Sequence, residues 1–343
     1  MKETRVAIIG FGGIARMHYS AYHRLMEEGA PIRVVAVMDR NAEQFRNTSA
    51  INLGGENVPL SEDVRTYTDE DLLLQNEEFE VADICLPSFL HKEYAVKLMR
   101  AGKHVLCEKP MALTVEDCEE MLRASRETGC RLMVGQCLRF DPAYRYLKDC
   151  VESGQYGTLC YLSMDRLSEY PAWSAGSWLG DPKRGGGCMV DMHIHDVDMA
   201  RFLLGEPQTL SCVAYARLPH CQMIHSRLHY DGATVLANAV WDEARPDPFY
   251  MGYDAKLEQA SITFDGARVT VRKNGEEPVT VDLPQKDRMD EEIRHFVALV
   301  RNPEMENTLN SAESAALSLS LVKRLAQSAE KGGKEMEWTE GRI

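Results

Sequence analysis

Imidazoles and carboxylates crowd one stretch of the chain, Gly185-Gly186-Gly187-Cys188-Met189-Val190-Asp191-Met192-His193-Ile194-His195-Asp196-Val197-Asp198. Read as one helix, it puts Asp191 and His195 on the same face, with Asp198 one step further on. A histidine beside a carboxylate can exchange a proton near neutral pH, because the imidazole pKa lies there and the carboxylate tunes it. The plain alternative is a glycine hinge ahead of a helix whose acidic residues suit its N-terminal dipole. A second reactive group is Lys109, set between Glu108 and Pro110 after the apolar run Val105-Leu106-Cys107. Pro110 imposes an extended bend there, so a positioned ammonium at a strand end is expected, against the alternative of a solvated surface lysine. Trp173 and Trp178 lie in a Gly- and Pro-rich loop over 170–182. Indoles stack on sugar rings and also pin loops to domains, and both uses stay open.

These groups need a scaffold, and the first part of the chain supplies one. Val6-Ala7-Ile8-Ile9 is a continuous apolar run suited to a central parallel strand. It leads into Gly10-Phe11-Gly12-Gly13-Ile14-Ala15, a G-x-G-x-x-A turn in which small residues let a pyrophosphate approach the backbone at a helix start. The following helix is expected to turn Ile14, Met17, Ala21, Leu25 and Met26 inward and to end at Gly29 and Pro31. A second apolar run over 34–38 ends at Asp39, placed to bond both ribose hydroxyls of NAD and to repel a 2′-phosphate. Arg40 beside it could accept such a phosphate, so NAD is favoured and NADP stays open. Further helices are expected over 41–53, 69–75 and 90–101 and after Thr114, with strands over 81–86, 104–107 and 131–134. Such βα repetition predicts a doubly wound parallel sheet with ligands at the carboxyl ends of its strands. Leu86, Pro87, Ser88 and His91 follow one strand end, and Glu108 with Lys109 stands at another.

The remainder reads as α+β. Asp141-Pro142 starts a helix, and a half-exposed strand from Gly157 carries Leu159, Tyr161 and Ser163 on one face. Strands over 209–217, 223–230, 234–241, 260–264, 267–272 and 279–283 predict a large, open, mostly antiparallel sheet with one face on helices and the other free for subunit contact. The loop beginning over 245–250 is a candidate pocket lining. Helices over 289–300 and 311–329 close the chain. The expected domains are 1–135, a dinucleotide-binding Rossmann domain, and 136–343, with the C-terminal helices free to pack back on the first. His220, His225 and His229 lie on or near the strands, the last two on one face. No acid or fourth ligand falls at zinc spacing, so no metal is expected.

A net charge of −14 argues against nucleic acid and anionic membrane as partners. No apolar run reaches membrane-spanning length and no leader-type apolar segment opens the chain. Ten cysteines spread from Cys85 to Cys221 without a C-x-x-C pair read as reduced thiols, and a cytoplasmic location is expected.

The segment Ala101-Gly102-Lys103-His104-Val105-Leu106-Cys107-Glu108-Lys109-Pro110-Met111-Ala112 resembles the signature of the glucose–fructose oxidoreductase and inositol dehydrogenase family, Gfo/Idh/MocA. The glycine turn at Gly10, Pro87-Ser88-x-x-His91, Arg139-Phe140-Asp141-Pro142 and the stretch 185–198 extend the resemblance over nearly the whole chain. It implies oxidation of a sugar or cyclitol hydroxyl, or the reverse, with NAD(P). Lys109 matches the lysine of the family's E-K-P, Asp191 and His195 match its second catalytic motif, and Arg139 matches an arginine that often touches cofactor or substrate. His195-Asp196-x-Asp198 is closest to the inositol dehydrogenase form. His193 departs from the family's usual small residue, and Gln136-Cys137-Leu138 from its Asn-rich run.

The resulting expectation is a CH–OH dehydrogenase, a homodimer or homotetramer joined through the open sheet, with Lys109, Asp191 and His195 catalytic. Gly10, Phe11, Gly12, Gly13, Ile14, Ala15, Asp39, Arg40, Leu86, Pro87, Ser88, His91, Glu108, Lys109 and Arg139 are the cofactor candidates. Lys109, Arg139, Trp173, Trp178, Asp191 and His195 are the substrate candidates. An NAD-dependent glycoside-cleaving enzyme and a non-catalytic dinucleotide-binding regulator are the alternatives.

Overall fold

The structure is a computed structural model and describes residues 3–46, 58–172, 174–218, 221–242 and 249–339. The chain divides into two compact units, Met1–Cys137 with Asp287–Ala316, and Leu138–Lys286 with Leu317–Ile343.

In the first unit the elements run β1 (Thr4–Ile9), α1 (Gly13–Glu27), β2 (Ile32–Met38), β3 (Arg65–Tyr67), α2 (Glu70–Asn76), β4 (Val81–Ile84), α3 (His91–Arg100), β5 (His104–Glu108), α4 (Val115–Thr128) and β6 (Leu132–Gly135). The six strands pair in parallel in the order β3-β2-β1-β4-β5-β6. Central strands covered on both faces must be apolar throughout, and Val6, Ala7, Ile8 and Ile9 are fully buried. Asp69 and Thr114 cap α2 and α4 by accepting backbone N–H groups of the first turn.

The inner face of α1 differs from the expectation. It buries Ala15, His18, Tyr19, Tyr22 and Leu25, while Met26 is exposed. The helix packs on a core shared with Ile293 and Phe296 of the helix Arg288–Arg301, and that core admits large polar-tipped rings as readily as aliphatics. The helix expected over 41–53 is a short 3₁₀ turn, Ala42–Phe45, capped by Asn41. Residues 47–53 of that expectation lie outside the described residues.

The second unit contains α5 (Pro142–Ser153), β7 (Leu159–Ser168), α6 (Gly187–Asp191), α7 (Ile194–Leu204), β8 (Thr209–Leu218), β9 (Cys221–Tyr230), β10 (Ala233–Trp241), β11 (Phe249–Leu257), β12 (Ala260–Phe264), β13 (Val269–Lys273), β14 (Val279–Thr280) and β15 (Met336–Glu337). The nine strands lie in the order β14-β13-β12-β11-β7-β10-β9-β8-β15. The sheet is mixed, with β7 and β10 parallel and the pairs on either side antiparallel. One face is buried and includes Leu162, Met164, Val235, Ala237, Leu228 and Ile262. The other, carrying Ser163, Asp165, Leu236, Asn238, His225 and Arg227, is partly or wholly exposed.

The half-exposed strand expected from Gly157 is β7, with Leu162, Met164 and Arg166 inward and Tyr161 and Ser163 partly exposed. One expectation is corrected here. The segment read as starting a loop is strand from Phe249, and β11 pairs with β7 over its whole length. Its residues 245–248 lie outside the described residues, as do Trp173 and His220.

Candidate active site

The glycine turn is built by steric necessity. Gly10 has φ +86°, and a Cβ there would stand 2.8 Å from the Cys85 carbonyl oxygen. A side chain at that position would therefore clash with β4 as well as strain its own backbone. Gly12 caps α1 without any side-chain bond, and a Cβ there would meet nothing within 4 Å. That leaves open space at the N–H groups that the first turn cannot satisfy, which suits a pyrophosphate. Phe11 and Ala15 are fully buried, so they offer backbone only. Asp39 accepts the Phe11 N–H and the Asn41 N–H, each at 2.8 Å. Each of its oxygens keeps a lone pair for a ribose hydroxyl. These residues fit a dinucleotide. Arg40 reaches back toward Glu70, at 3.6 Å, and lies over the Tyr94 ring. Arg16, which the sequence reading passed over, stacks its buried guanidinium on Phe11 at 4.8 Å and donates to the Gln44 carbonyl. Burial lowers its pKa and the nearby Asp39 opposes that shift.

At the ends of β4 and β5 the polar groups are tied to one another. Pro87 precedes a 3₁₀ turn, Ser88–Leu90, and Ser88 is buried. The His91 ring bridges two carbonyls, Nδ1 to Pro110 O and Nε2 to Leu86 O, both at 2.8 Å. Both ring nitrogens are thus engaged by the chain itself. Burial pushes the His91 pKa down against the pull of those carbonyls. Glu108 is buried, with one oxygen 2.9 Å from His18 Nε2 and the other accepting the Lys109 N–H at 3.0 Å. The Lys109–Pro110 bond is cis, and the Lys109 side chain keeps partial exposure.

In the second unit the stretch 185–198 is two helices rather than one. The His193 N–H reaches back five residues to Cys188 O at 2.9 Å, and the His195 N–H reaches only to Met192 O at 3.4 Å. Asp191 ends α6 and His195 lies in the first turn of α7, so the break falls between the two. The glycines that precede it are forced: Gly186 has φ +79°, and a Cβ at Gly185 would stand 2.5 Å from the Leu179 carbonyl oxygen. Asp196 accepts two bonds from Arg166, both at 2.9 Å, and Asp198 accepts two from Arg139, at 2.8 and 2.7 Å, plus one from Ser318 at 2.6 Å. Arg139 is buried with its guanidinium on that carboxylate. Trp178 is half-buried on the 3₁₀ segment Ala175–Gly180.

Comparison with known proteins bears on the same residues. Residues 4–136 match the profile of an oxidoreductase family with an NAD-binding Rossmann fold, and residues 144–268 match the Gfo/Idh/MocA C-terminal domain. The chain belongs to the Gfo/Idh/MocA oxidoreductase family. It is 31% identical to a 2,7-anhydro-N-acetylneuraminate hydratase of Mediterraneibacter gnavus over 60% of this chain, and it spans 50% of that relative's length. It is 28% identical to an inositol 2-dehydrogenase of Rhizobium meliloti over 83% of this chain and 79% of the relative. A levoglucosan dehydrogenase in complex with NADH and L-sorbose has the same fold, with a TM-score of 0.83 at 21% identity over 100% of both chains.

Within this Gfo/Idh/MocA chain, burial sorts the titratable residues. Glu108, His193, Asp196 and Asp198 are buried, whereas Lys109, Asp191 and His195 keep partial exposure. His193 is explained by its neighbours. Its Nε2 lies 2.8 Å from Ser226 Oγ, and that hydroxyl donates onward to Ala237 O at 3.3 Å. The serine proton being spent, Nε2 must carry the histidine's own proton. Burial, with Arg166 and His225 adding repulsion, pushes the His193 pKa down to about 3. A depressed histidine pKa makes the unfolded chain bind more protons, so stability falls as pH drops from 6.5 toward about 3. His193→Asn is expected to flatten that fall, seen as a smaller difference between urea midpoints at neutral and mildly acid pH than in the native protein.

The sequence reading missed His18, Asp83 and Arg166. Each had a signal. Asp83 sits inside the apolar run Val81-Ala82-Asp83-Ile84-Cys85, where both faces of a parallel strand must be covered, so a carboxylate there needs a buried partner.

Proposed function

We propose that the protein oxidises a secondary hydroxyl of a sugar or cyclitol, or reduces the matching ketone, with Lys109, Asp191 and His195 as its catalytic residues. The observation that carries this reading is the sorting by burial. Among the acidic and basic residues of the two motifs, Lys109, Asp191 and His195 keep partial exposure, while Glu108, His193, Asp196 and Asp198 are held inside the fold. NAD, when bound, accepts or supplies the hydride. Lys109 would hydrogen-bond the reacting oxygen and stabilise negative charge developing on it. His195 would take the hydroxyl proton, and Asp191 would orient and tune its partner. Asp39 and the turn from Gly10 to Ala15 would hold ribose and pyrophosphate. An inositol 2-dehydrogenase among the relatives supports a cyclitol or a sugar of similar size. The experiment is an absorbance screen for NADH and NADPH against inositols, aldoses and sugar acids. Failure of every polyol would sink the proposal.

Asp39 sets cofactor choice in this reading. Asp39→Ser is expected to lower the preference for NAD over NADP by about tenfold or more, since a charge repelling a 2′-phosphate costs on the order of 1–2 kcal/mol. The ratio of kcat/KM for the two cofactors measures it.

A second reading is favoured by one relative. A hydratase performs no net oxidation, and a similar enzyme here would oxidise transiently, cleave or hydrate, and return NAD unchanged. Product formation without NADH accumulation would identify it. We also propose that the exposed face of the nine-stranded sheet joins subunits into a homodimer or homotetramer, to be checked by light scattering. A cytoplasmic location is proposed on the thiols: of the nine described cysteines, eight are at least partly buried, as reduced thiols packed in a core are. Among the described residues no helix is long and apolar enough to cross a membrane.

A further inference from the structure

Beneath the catalytic lysine, α1, β4 and β5 bring a histidine between two carboxyl groups. His18 Nδ1 lies 2.8 Å from Asp83 Oδ2, and its Nε2 lies 2.9 Å from Glu108 Oε1. All three side chains are buried. The other Glu108 oxygen accepts the Lys109 N–H at 3.0 Å. We propose that His18 is a positioning residue for Lys109, acting as an imidazolium that clamps Glu108 and so sets the main chain from which the ammonium projects. The inference rests on the role given to Lys109 above.

Carboxylates only accept, so a ring held between two of them must donate from both nitrogens and carry a proton on each. The surroundings agree. Burial pulls the His18 pKa down, but Asp83 and Cys85 together outweigh it and the net shift is well upward. Burial raises Glu108, and His18 with the nearby Lys109 and His91 more than reverses that. The Cys85 thiol points at the other Asp83 oxygen, at 3.6 Å, and burial keeps it protonated. Glu292, from the helix Arg288–Arg301, has both oxygens buried without a hydrogen-bond partner, and burial together with Glu108 raises its pKa well above the usual range. A neutral Glu292 spares the cluster a further negative charge. His18, Asp83 and Cys85 also place possible metal-ligand atoms within 4.8 Å of one another. The hydrogen-bond spacing on both sides of the ring favours protons over an ion there. The clamp also has a mechanical consequence. Its histidine stands on α1, the helix whose first turn faces the pyrophosphate space, so the nucleotide helix and the lysine turn are held as one piece.

The test uses the full chain loaded with NADH. In 15N-histidine spectra at about pH 8, where an ordinary histidine is neutral, the His18 ring, assigned by the loss of its signals in His18→Gln, is expected to remain doubly protonated. In the same variant, the acetylation rate of Lys109 by acetic anhydride, read by mass spectrometry against Lys92 and Lys256 as internal references, is expected to change by about threefold or more. A Lys109 rate that His18→Gln leaves unchanged relative to the two reference lysines, or a neutral His18 in the native protein, would overturn the proposal. Should His18→Gln not fold, Asp83→Asn serves: the clamp then predicts that His18 loses its proton near neutral pH, and retention would overturn it. Full turnover by Lys109→Ala would overturn the function assigned to the lysine without touching these two measurements.

Discussion

Lys109→Ala is expected to lower kcat on the substrate found by the screen by about 10²–10³-fold, the usual cost of removing a preorganised donor to a developing oxyanion. NADH affinity should stay within about threefold, because in the role proposed for it the lysine's interaction strengthens in the transition state and contributes little to ground-state binding. The prediction follows from how the residue is carried. Its backbone is fixed by Glu108 and by the His91 bond to Pro110 O, while its side chain alone of that turn keeps access to solvent. Steady-state kinetics with a fluorescence titration of NADH separate the two quantities. A variant with normal kcat, or one that loses NADH binding in proportion, would show that the lysine holds cofactor or fold and not the reacting oxygen.

Asp198→Ala is expected to destabilise the protein by about 3–5 kcal/mol, measured as a lower urea midpoint. The carboxylate is almost wholly buried and accepts three hydrogen bonds, two from Arg139 and one from Ser318. Removing it leaves a guanidinium in a dry site without its counter-charge, and that cost exceeds any worth of the pair itself. The paired change Asp198→Leu with Arg139→Met should therefore recover much of the loss. The same double variant decides what Arg139 does. If NADH affinity and KM are near normal once the fold is restored, the arginine serves the second unit's interior. A large rise in either would assign it to a ligand, as the family resemblance implies.

The nucleotide unit was largely legible before any coordinates. Its central strands are buried on both faces and so appear as largely apolar runs, while the exposed edge strand β3 gave no such signal. Its turns announce themselves through Gly10, Gly129, Asp69 and Thr114, residues chosen for backbone geometry rather than for partners. The faces of single elements were less legible. Met26 looked like core in α1, whereas His18 and Tyr22 are core, because burial of a polar-tipped ring depends on what waits for it across the interior. In the second unit the strands were legible except β11, hidden behind its proline-rich approach, and the two-residue β15 in the charged tail, which only its pairing with β8 defines.

The sequence alone determined the family, the βα order, the glycine turn with its acidic partner, and the motifs holding Lys109, Asp191 and His195. Those are local properties: periodicity, turn chemistry and short-range spacing need no knowledge of distant residues. Only the tertiary structure decided which titratable groups are spent inside the fold. Asp196 goes to Arg166 across 30 residues, Asp198 to Arg139 across 59, and His18 to Glu108 across 90. Desolvation makes each of those pairings obligatory, and no spacing rule reaches so far along the chain. In the stretch 185–198, the helical spacing that first drew Asp191 and His195 together proved to cross a break, and burial, rather than spacing, singles them out.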